Sequence, residues 1–323
     1  MYLAPDGDEI EIANAAADFL ADALAIERLH GADAADLKAP LRQLLGEMGW
    51  FALAVPEAMG GSGLSSVEHA LFFREAGRQC APVDLLAQCL AANAISDADL
   101  RKSVIAGEIG IALMVKDGKH HRVFGADDAS YALLVSPDEA RLYAMAGIAT
   151  TPRPALDPAN SIRLVQDLPD PIETASGGSV WQLGQLGTAA MLVGIAEAAL
   201  DLIVEYAKIR ETFGRKIGSW QAVRHPCADM AMRVEAARSE LWYAATALKE
   251  GRSDAAIHLD AAKHMANLAA QANTDSNIQL HGGIGVTDEH HAHLLLKHAM
   301  VLSRLFGSKR GLLSRLLHAR LED

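Results

Sequence analysis

The sequence predicts a mainly α protein with a small β module set between two helical regions. Three observations carry this. About a fifth of the 323 residues are alanine, the residue with the highest intrinsic helix propensity. Long stretches at both ends repeat apolar residues at three- and four-residue spacing, the pattern of amphipathic helices. Between them, residues 106 to 170 hold short apolar runs bounded by Gly, Asp and Pro, which reads as strands. At roughly 150 residues per domain the length suggests about two domains. The element pattern divides the chain into a helical N-terminal domain (1–105), a small middle β-domain (106–175) and a C-terminal four-helix bundle (176–323).

In order, residues 8 to 30 place Ile12, Ala16, Phe19, Ala23 and Ile26 on one helical face, and Leu37, Leu41, Leu44, Leu45 and Met48 repeat the pattern before Gly49. Pro56 and the cluster Gly60-Gly61-Ser62-Gly63 cannot be helix interior. Ser65 with Glu68 predicts a capping box opening a helix that carries Val67, Leu71 and Phe72 to Arg78. Ile109–Val115, Tyr131–Val135, Arg141–Ala146 and the run SIRLVQ are the expected strands. Long helices then follow over Leu183–Ile209, Gln221–Glu250 and Ser253–Gln279, with a fourth from about Glu289, broken near Gly307. Short connections between long helices point to an antiparallel bundle.

Composition removes several function classes. With 29 basic and 41 acidic side chains the net charge is −12, a poor match to a phosphate backbone, which demands clustered Lys and Arg. Nucleic acid is not an expected partner. Cys80, Cys89 and Cys227 form no C-x-x-C pair, so they read as reduced, partly buried thiols of a cytoplasmic protein. The opening residues are acidic where a signal peptide needs a basic region. The longest apolar run, Leu186–Leu200, is interrupted by Glu197, so no membrane span is expected.

Motifs for common catalysis are missing. Gly60-Gly61-Ser62-Gly63-Leu64 fails the G-x-S-x-G pattern, and neither a Walker loop nor G-x-G-x-x-G after a strand is present. His281, His290, His291, His293 and His298 cluster without the H-E-x-x-H order of a metal site, so they read as solvated or structural. Two segments say more. In YAKIRETFGRKIGSWQ, Arg210 stands at a helix end, followed by Phe213, two glycines and Gln221 opening the next helix. An Arg there can grip a phosphate bidentately, and Gln221 can read an amide or ring edge; the plain alternative is a helix–turn–helix with a surface Arg. In QLHGGIG, three glycines in four positions after Gln279-Leu280-His281 let backbone N–H groups approach an anion; the alternative is a flexible inter-helix loop.

Together these segments resemble the acyl-CoA dehydrogenases. VPEAMGGSGLSSVEHALFFREAGRQCAP is similar to the family's N-terminal signature, YAKIRETFGRKIGSWQ to its bundle joint, and QLHGGIGVTDEHHAHLLLKHA to its flavin-contacting loop. The resemblance implies a helical N-terminal domain, a middle β-domain and a C-terminal four-helix bundle. It also implies FAD at a subunit interface, an acyl-CoA substrate and electron-transfer flavoprotein as acceptor. The residues it assigns to the cofactor are Arg210, Phe213, Gln221, Gln279, Gly282 and Gly283, which would reach a neighbouring subunit's flavin. Ser308, in place of the Thr of the family's E-G-T motif, joins them.

The departures shape the expectation. IALMVKDGKHHRVFGADDASYALLV has neither the family's T-E-x-x-A-G-S-D-like stretch nor its later W-I-T/S-like turn, which hold the flavin ring. The two places the family puts its catalytic base are Phe306 and Gly184, and Gln185 follows where an Arg would contact CoA. Neither Phe nor Gly can take a proton from the α-carbon. Glu197 and Glu205, on the helix that carries Gly184, read as a solvated face, as do Arg304, Lys309, Arg310, Arg315 and Arg320 at the C-terminus. The expectation is therefore the shortened subunit of a heteromeric α2β2 enzyme of the kind that acts on steroid side chains. It would complete FAD sites on a full-length partner that supplies the base. The alternatives are a non-catalytic oligomerisation scaffold and a solo flavoenzyme resembling a monooxygenase.

Overall fold

The computed structural model describes residues 5–31 and 37–319. The helices are α1 (Gly7–Ala23), α2 (Ala39–Glu47), α3 (Ser66–Arg78), α4 (Val83–Ala94), α5 (Ala98–Ile105), α6 (Gly178–Ile209), α7 (Gln221–Lys249), α8 (Ala255–His281), α9 (Ala292–Leu302) and α10 (Lys309–His318). Seven strands fall between α5 and α6: β1 (Ile111–Asp117), β2 (His120–Phe124), β3 (Tyr131–Val135), β4 (Glu139–Ala144), β5 (Thr150–Arg153), β6 (Ile162–Val165) and β7 (Glu173–Ser176). A two-stranded hairpin, β8 (Glu211–Thr212) and β9 (Arg215–Lys216), joins α6 to α7. The mainly α architecture with one β module is the one expected. By compactness the described residues form two units. One gathers α1 with its following turn, Ala70–Cys80 and everything from Thr188; the other holds the rest of the N-terminal helices and Ala81–Gly187.

In the sheet-bearing unit the strand order is β5-β6-β2-β1-β3-β4-β7, with β1 and β3 parallel and the other neighbours antiparallel. Alternate residues Ala112, Met114, Val123, Ala132, Tyr143 and Val165 form its buried cluster, as period-two burial requires. β2, β5 and β7 carry no clear apolar run. β2 holds two histidines and an arginine, and their pairing comes from neighbours rather than from their own pattern. α4 is buried almost throughout, and its polar side chains stitch the unit together. Gln88 donates to the carbonyls of Val104 and Ile109 and accepts from the Ile111 N–H, while Asp84 accepts from Leu37 and Ala126. Ahead of α3, the Ser65 N–H donates to Glu68 at 2.8 Å and Ser65 Oγ accepts from Val67, so the expected cap forms.

In the bundle unit the long helix expected over residues 8 to 30 is broken. α1 stops at Ala23, and Ile26–His30 form a 3-10 turn. The cause is Arg28, whose guanidinium takes the carbonyls of Leu24, Ala25, Gln79 and Cys80, so the helix gives up its last turn to a side chain. α3 and α6 cross in backbone contact. A Cβ on Gly77 would lie 2.0 Å from the Met191 carbonyl oxygen, and one on Gly194 1.9 Å from that of Arg74. α6 is long and apolar enough by composition to cross a membrane, and 72% of its most apolar window is buried inside the protein.

Candidate functional site

Glu197 is only 5% exposed. It meets Arg74 at 2.8 Å, Arg78 at 3.5 Å and Arg238 at 3.3 Å. The solvated face expected for it is therefore wrong: a carboxylate on the buried side of α6 is paired with three guanidinium groups. Glu205 does lie on the surface, paired with Lys208. The other buried carboxylates are also committed. Glu68 caps α3, Glu75 pairs with Arg74 and Arg78, Asp157 accepts from Asn160, and Asp260 takes Arg315 through two bonds of 2.6 and 2.7 Å. Burial pushes the Glu75 carboxyl up, and the two arginines beside it pull it down less strongly. The Asp260 pair corrects the expectation of a purely solvated C-terminal basic face; Arg320 lies outside the described residues.

The joint between α6 and α7 is a two-residue hairpin rather than a plain turn. Thr212 pairs with Arg215, leaving Phe213 and Gly214 at its tip with φ of 51° and 76°. Two positive φ values are what a type I′ loop demands, normally met by Asn-Gly. A phenylalanine there is strained, and Phe213 is 94% exposed. The Ile217 N–H donates to the Arg210 carbonyl at 2.9 Å, Lys216 donates to the Ile209 carbonyl, and the Arg215 guanidinium lies 3.4 Å from the Trp220 ring centre. That cation–π clasp, spaced R-x-x-x-x-W, is a signal the sequence reading passed over. Arg210 and Gln221 stand exposed on either side of the hairpin, and the Arg210 guanidinium has no partner among the described residues.

At the far end of α8, Gly282 has φ 68° and ψ −142°, a conformation almost confined to glycine. Cβ atoms added at Gly282 or Gly283 would meet nothing within 4 Å, whereas one on Gly285 would press on the Ile278 carbonyl at 2.8 Å. The turn therefore folds tightly back on α8 at Gly285 and leaves the Gly282-Gly283 backbone open outward, with Gln279 exposed beside it. The Tyr206 and His281 rings stack at 4.5 Å, bringing the ends of α6 and α8, and with them both glycine-bearing segments, to one end of the bundle. Ser308 stands apart. It caps α10, its Oγ accepting from Gly311 at 3.2 Å. α10 is tied by Arg315 to Asp260, 21 residues along α8 from His281, or about 30 Å of helix. Phe306 is buried at φ 51°, and Gly184 is buried within α6. His281 and His298 are buried and His290, His291 and His293 half-buried. Among the described residues no group of three or more His, Cys, Asp or Glu is arranged to hold a metal ion.

A helical N-terminal region, a middle sheet and a C-terminal bundle that presents an Arg-Phe-Gly hairpin and a Gln-x-x-Gly-Gly turn at one end define an acyl-CoA dehydrogenase architecture. Family models match in agreement: the acyl-CoA dehydrogenase C-terminal domain over residues 180–319 and the N-terminal domain over residues 6–99. The chain belongs to the acyl-CoA dehydrogenase family. It is 33% identical over 281 residues to acyl-CoA dehydrogenase IpdE2 of Mycobacterium tuberculosis, covering 85% of this chain and 84% of that protein. It is 33% identical over 300 residues to FadE34 of the same organism, covering 87% of this chain but only 42% of FadE34, so it spans less than half of that relative. Among solved structures, a chain of the ChsE4–ChsE5 complex from Mycobacterium tuberculosis superposes with a TM-score of 0.81 at 23% identity, covering 98% of each chain. The Tcur3481–Tcur3483 steroid acyl-CoA dehydrogenase superposes with a TM-score of 0.80 at 24% identity, covering 96% of this chain and 97% of that one. Both likenesses are of fold.

Proposed function

We propose that this chain is the subunit without a catalytic base in a heteromeric acyl-CoA dehydrogenase, and that it holds the adenine and pyrophosphate half of an FAD bound by a full-length partner subunit. The observation that carries this is Phe213, strained at φ 51° and 94% exposed. Strain at a position that packs on little of its own chain calls for a contact beyond it. The neighbouring groups fit that half of a flavin nucleotide. Arg210 offers an unpaired guanidinium for a bidentate phosphate contact, and the open Gly282-Gly283 backbone lets N–H groups reach an anion. Gln221 and Gln279 supply amides beside them. Bound there, the flavin would supply the hydride acceptor for α,β-dehydrogenation of an acyl-CoA thioester.

The proton-abstracting carboxylate is assigned to the partner. Phe306 and Gly184 carry no acid, and the buried carboxylates named above are held by structural partners, which favours division of labour over a complete site. FadE34, less than half of which this chain spans, and the two-protein ChsE4–ChsE5 complex are consistent with a unit that works beside another. A bulky, sterol-derived acyl-CoA as substrate has support from the fold shared with a steroid acyl-CoA dehydrogenase. Electron-transfer flavoprotein as acceptor and a cytoplasmic location complete the proposal.

The test is expression of the chain alone and together with acyl-CoA dehydrogenase-like products of its own gene cluster, with bound flavin read by absorbance. The expected result is a colourless lone chain and a yellow pair that oxidises an acyl-CoA. In that pair, Arg210→Ala lowers flavin occupancy. A yellow, active assembly of this chain alone refutes the division of labour, and full occupancy in Arg210→Ala refutes the trans contact.

A further inference from the structure

The histidines near the glycine turn, which the proposed function leaves unused, form one connected set of rings. The Tyr206 ring on α6 packs on His281 with centres 4.5 Å apart, and His281 meets His290 at 4.3 Å with the planes tilted by 49°. His290 continues to His291 at 6.2 Å, and His291 to His30 at 5.0 Å, with His30 Nε2 and His291 Nδ1 2.9 Å apart. His293 meets His30 edge-on at 6.5 Å. The set links α6, the end of α8, the whole 282–291 turn and the 3-10 turn after α1. It brackets Gly282 and Gly283 on both sides: His281 precedes them, and His290 closes the turn in front of α9.

The hydrogen bonds show which protonation state the set accepts. His281 Nδ1 lies 2.8 Å from the Asn277 carbonyl and so donates to it, which leaves Nε2 as the unprotonated nitrogen of a neutral ring. That nitrogen is buried with no hydrogen-bond partner, so a proton added there would find no acceptor. His290 Nδ1 accepts from the Ala292 N–H at 3.2 Å and must be unprotonated to do so. We propose that His281 and His290 are positioning residues whose uncharged rings, His281 packed on Tyr206 and His290 on His281, hold the Gly282-Gly283 turn in its cofactor-accepting geometry and release it when they are protonated. The cofactor part of this rests on the flavin contact proposed above; the clasp itself does not.

Charges around the set do little to offset protonation. Glu27 faces His291 at 3.4 Å and Asp288 faces His293 at 3.9 Å. Lys297 on α9 repels His293. Arg78 of α3 and Asp201 and Glu205 of α6 share with Glu27 and His291 a cavity of about 460 Å³, but Asp201 is paired with Arg78 and Glu205 with Lys208. Burial, reinforced by the four neighbouring histidines, pushes His290 down to about 4, and burial also holds His281 down. Since the folded values lie below the ordinary histidine value near 6.5, the clasp is intact above pH 6.5 and weakens as pH falls toward 4. For the half-exposed His290, solvent screening limits the change in the open population to on the order of tenfold between pH 7.5 and pH 5.

The experiment is hydrogen exchange by mass spectrometry on the full chain without flavin, at pH 7.5 and pH 5, with rates corrected for intrinsic pH dependence. The wild type is expected to lose about tenfold of its protection across residues 282–291 at pH 5 while the middle of α7 keeps its own. His290→Phe retains a stacking ring and His290→Asn retains an acceptor for Ala292; neither titrates, and both should flatten the pH response of the turn. An equal loss in both variants, a loss that extends through α7, or no loss at all overturns the clasp. In the complex, flavin release at pH 5 should follow the same variants. Arg210→Ala separates the two ideas: if it leaves flavin bound, the flavin assignment fails, while the exchange data still decide the clasp.

Discussion

Phe213→Asn converts the hairpin tip from Phe-Gly to Asn-Gly. A phenylalanine at φ 51° costs about 1–2 kcal/mol relative to a relaxed backbone, and asparagine tolerates that region with little penalty. Against this stands the edge contact with Trp220, ring centres 6.3 Å apart, worth about 0.5–1 kcal/mol. Almost no burial is lost, because Phe213 is 94% exposed. The net expectation for the lone chain is a gain of about 0.5–1 kcal/mol, or roughly 1–3 °C in Tm, measured by calorimetry. The flavin-bearing complex should respond in the opposite direction, losing flavin occupancy by absorbance. Opposite signs in one substitution mark a residue strained for a contact outside its own chain. If the lone chain is destabilised, Phe213 serves the hairpin through Trp220 and the reasoning fails. If flavin occupancy is unchanged, its exposure has another purpose.

Three further outcomes follow from the packing. Glu197→Ala strips the shared anion from Arg74, Arg78 and Arg238 and should cost about 2–3 kcal/mol by denaturant titration; the partly exposed arginines recover some hydration, which holds the loss below that of a fully buried pair. Gly194→Ala puts a Cβ 1.9 Å from the Arg74 carbonyl oxygen, so α3 and α6 must separate, at about 1–3 kcal/mol by the same titration, whereas Gly178→Ala, where nothing lies within 4 Å, should be nearly neutral. Burial pushes His69 down to about 4 against the partial support of the Leu183 carbonyl; its folded value lies below its unfolded one, so stability is whole above pH 6.5 and falls by about 3 kcal/mol as pH drops to 4, a slope that His69→Gln should remove from a pH series of unfolding midpoints.

Local pattern made much of this protein legible. The helices from Leu183 onward begin and end within a few residues of their expected bounds, because a 3.6-residue apolar repeat specifies a helix wherever it can be buried. Strands β1, β3, β4 and β6 carried their own apolar runs; β2, β5 and β7 did not, since paired strands borrow stability from neighbours. Arg210, Phe213 and Gln221 stood out through an order of residue types along a single joint, as did Gln279, Gly282 and Gly283 along a single turn.

What the sequence by itself determined is the long helices from Leu183 onward, the mainly α architecture and the acyl-CoA dehydrogenase resemblance, all of which reside in short spacings. Only the tertiary structure decided that Glu197 is caged rather than solvated, since its partner Arg74 lies 123 residues away. It alone tied the helix that Ser308 caps to Asp260, about 30 Å of α8 from the glycine turn, put Phe213 on a strained tip, and gathered His30, Tyr206, His281 and His290 into one clasp. The reason is physical: spacing along the chain fixes which side chains share a face, but the charge, strain and protonation of a side chain depend on what packs against that face, and those groups come from distant segments.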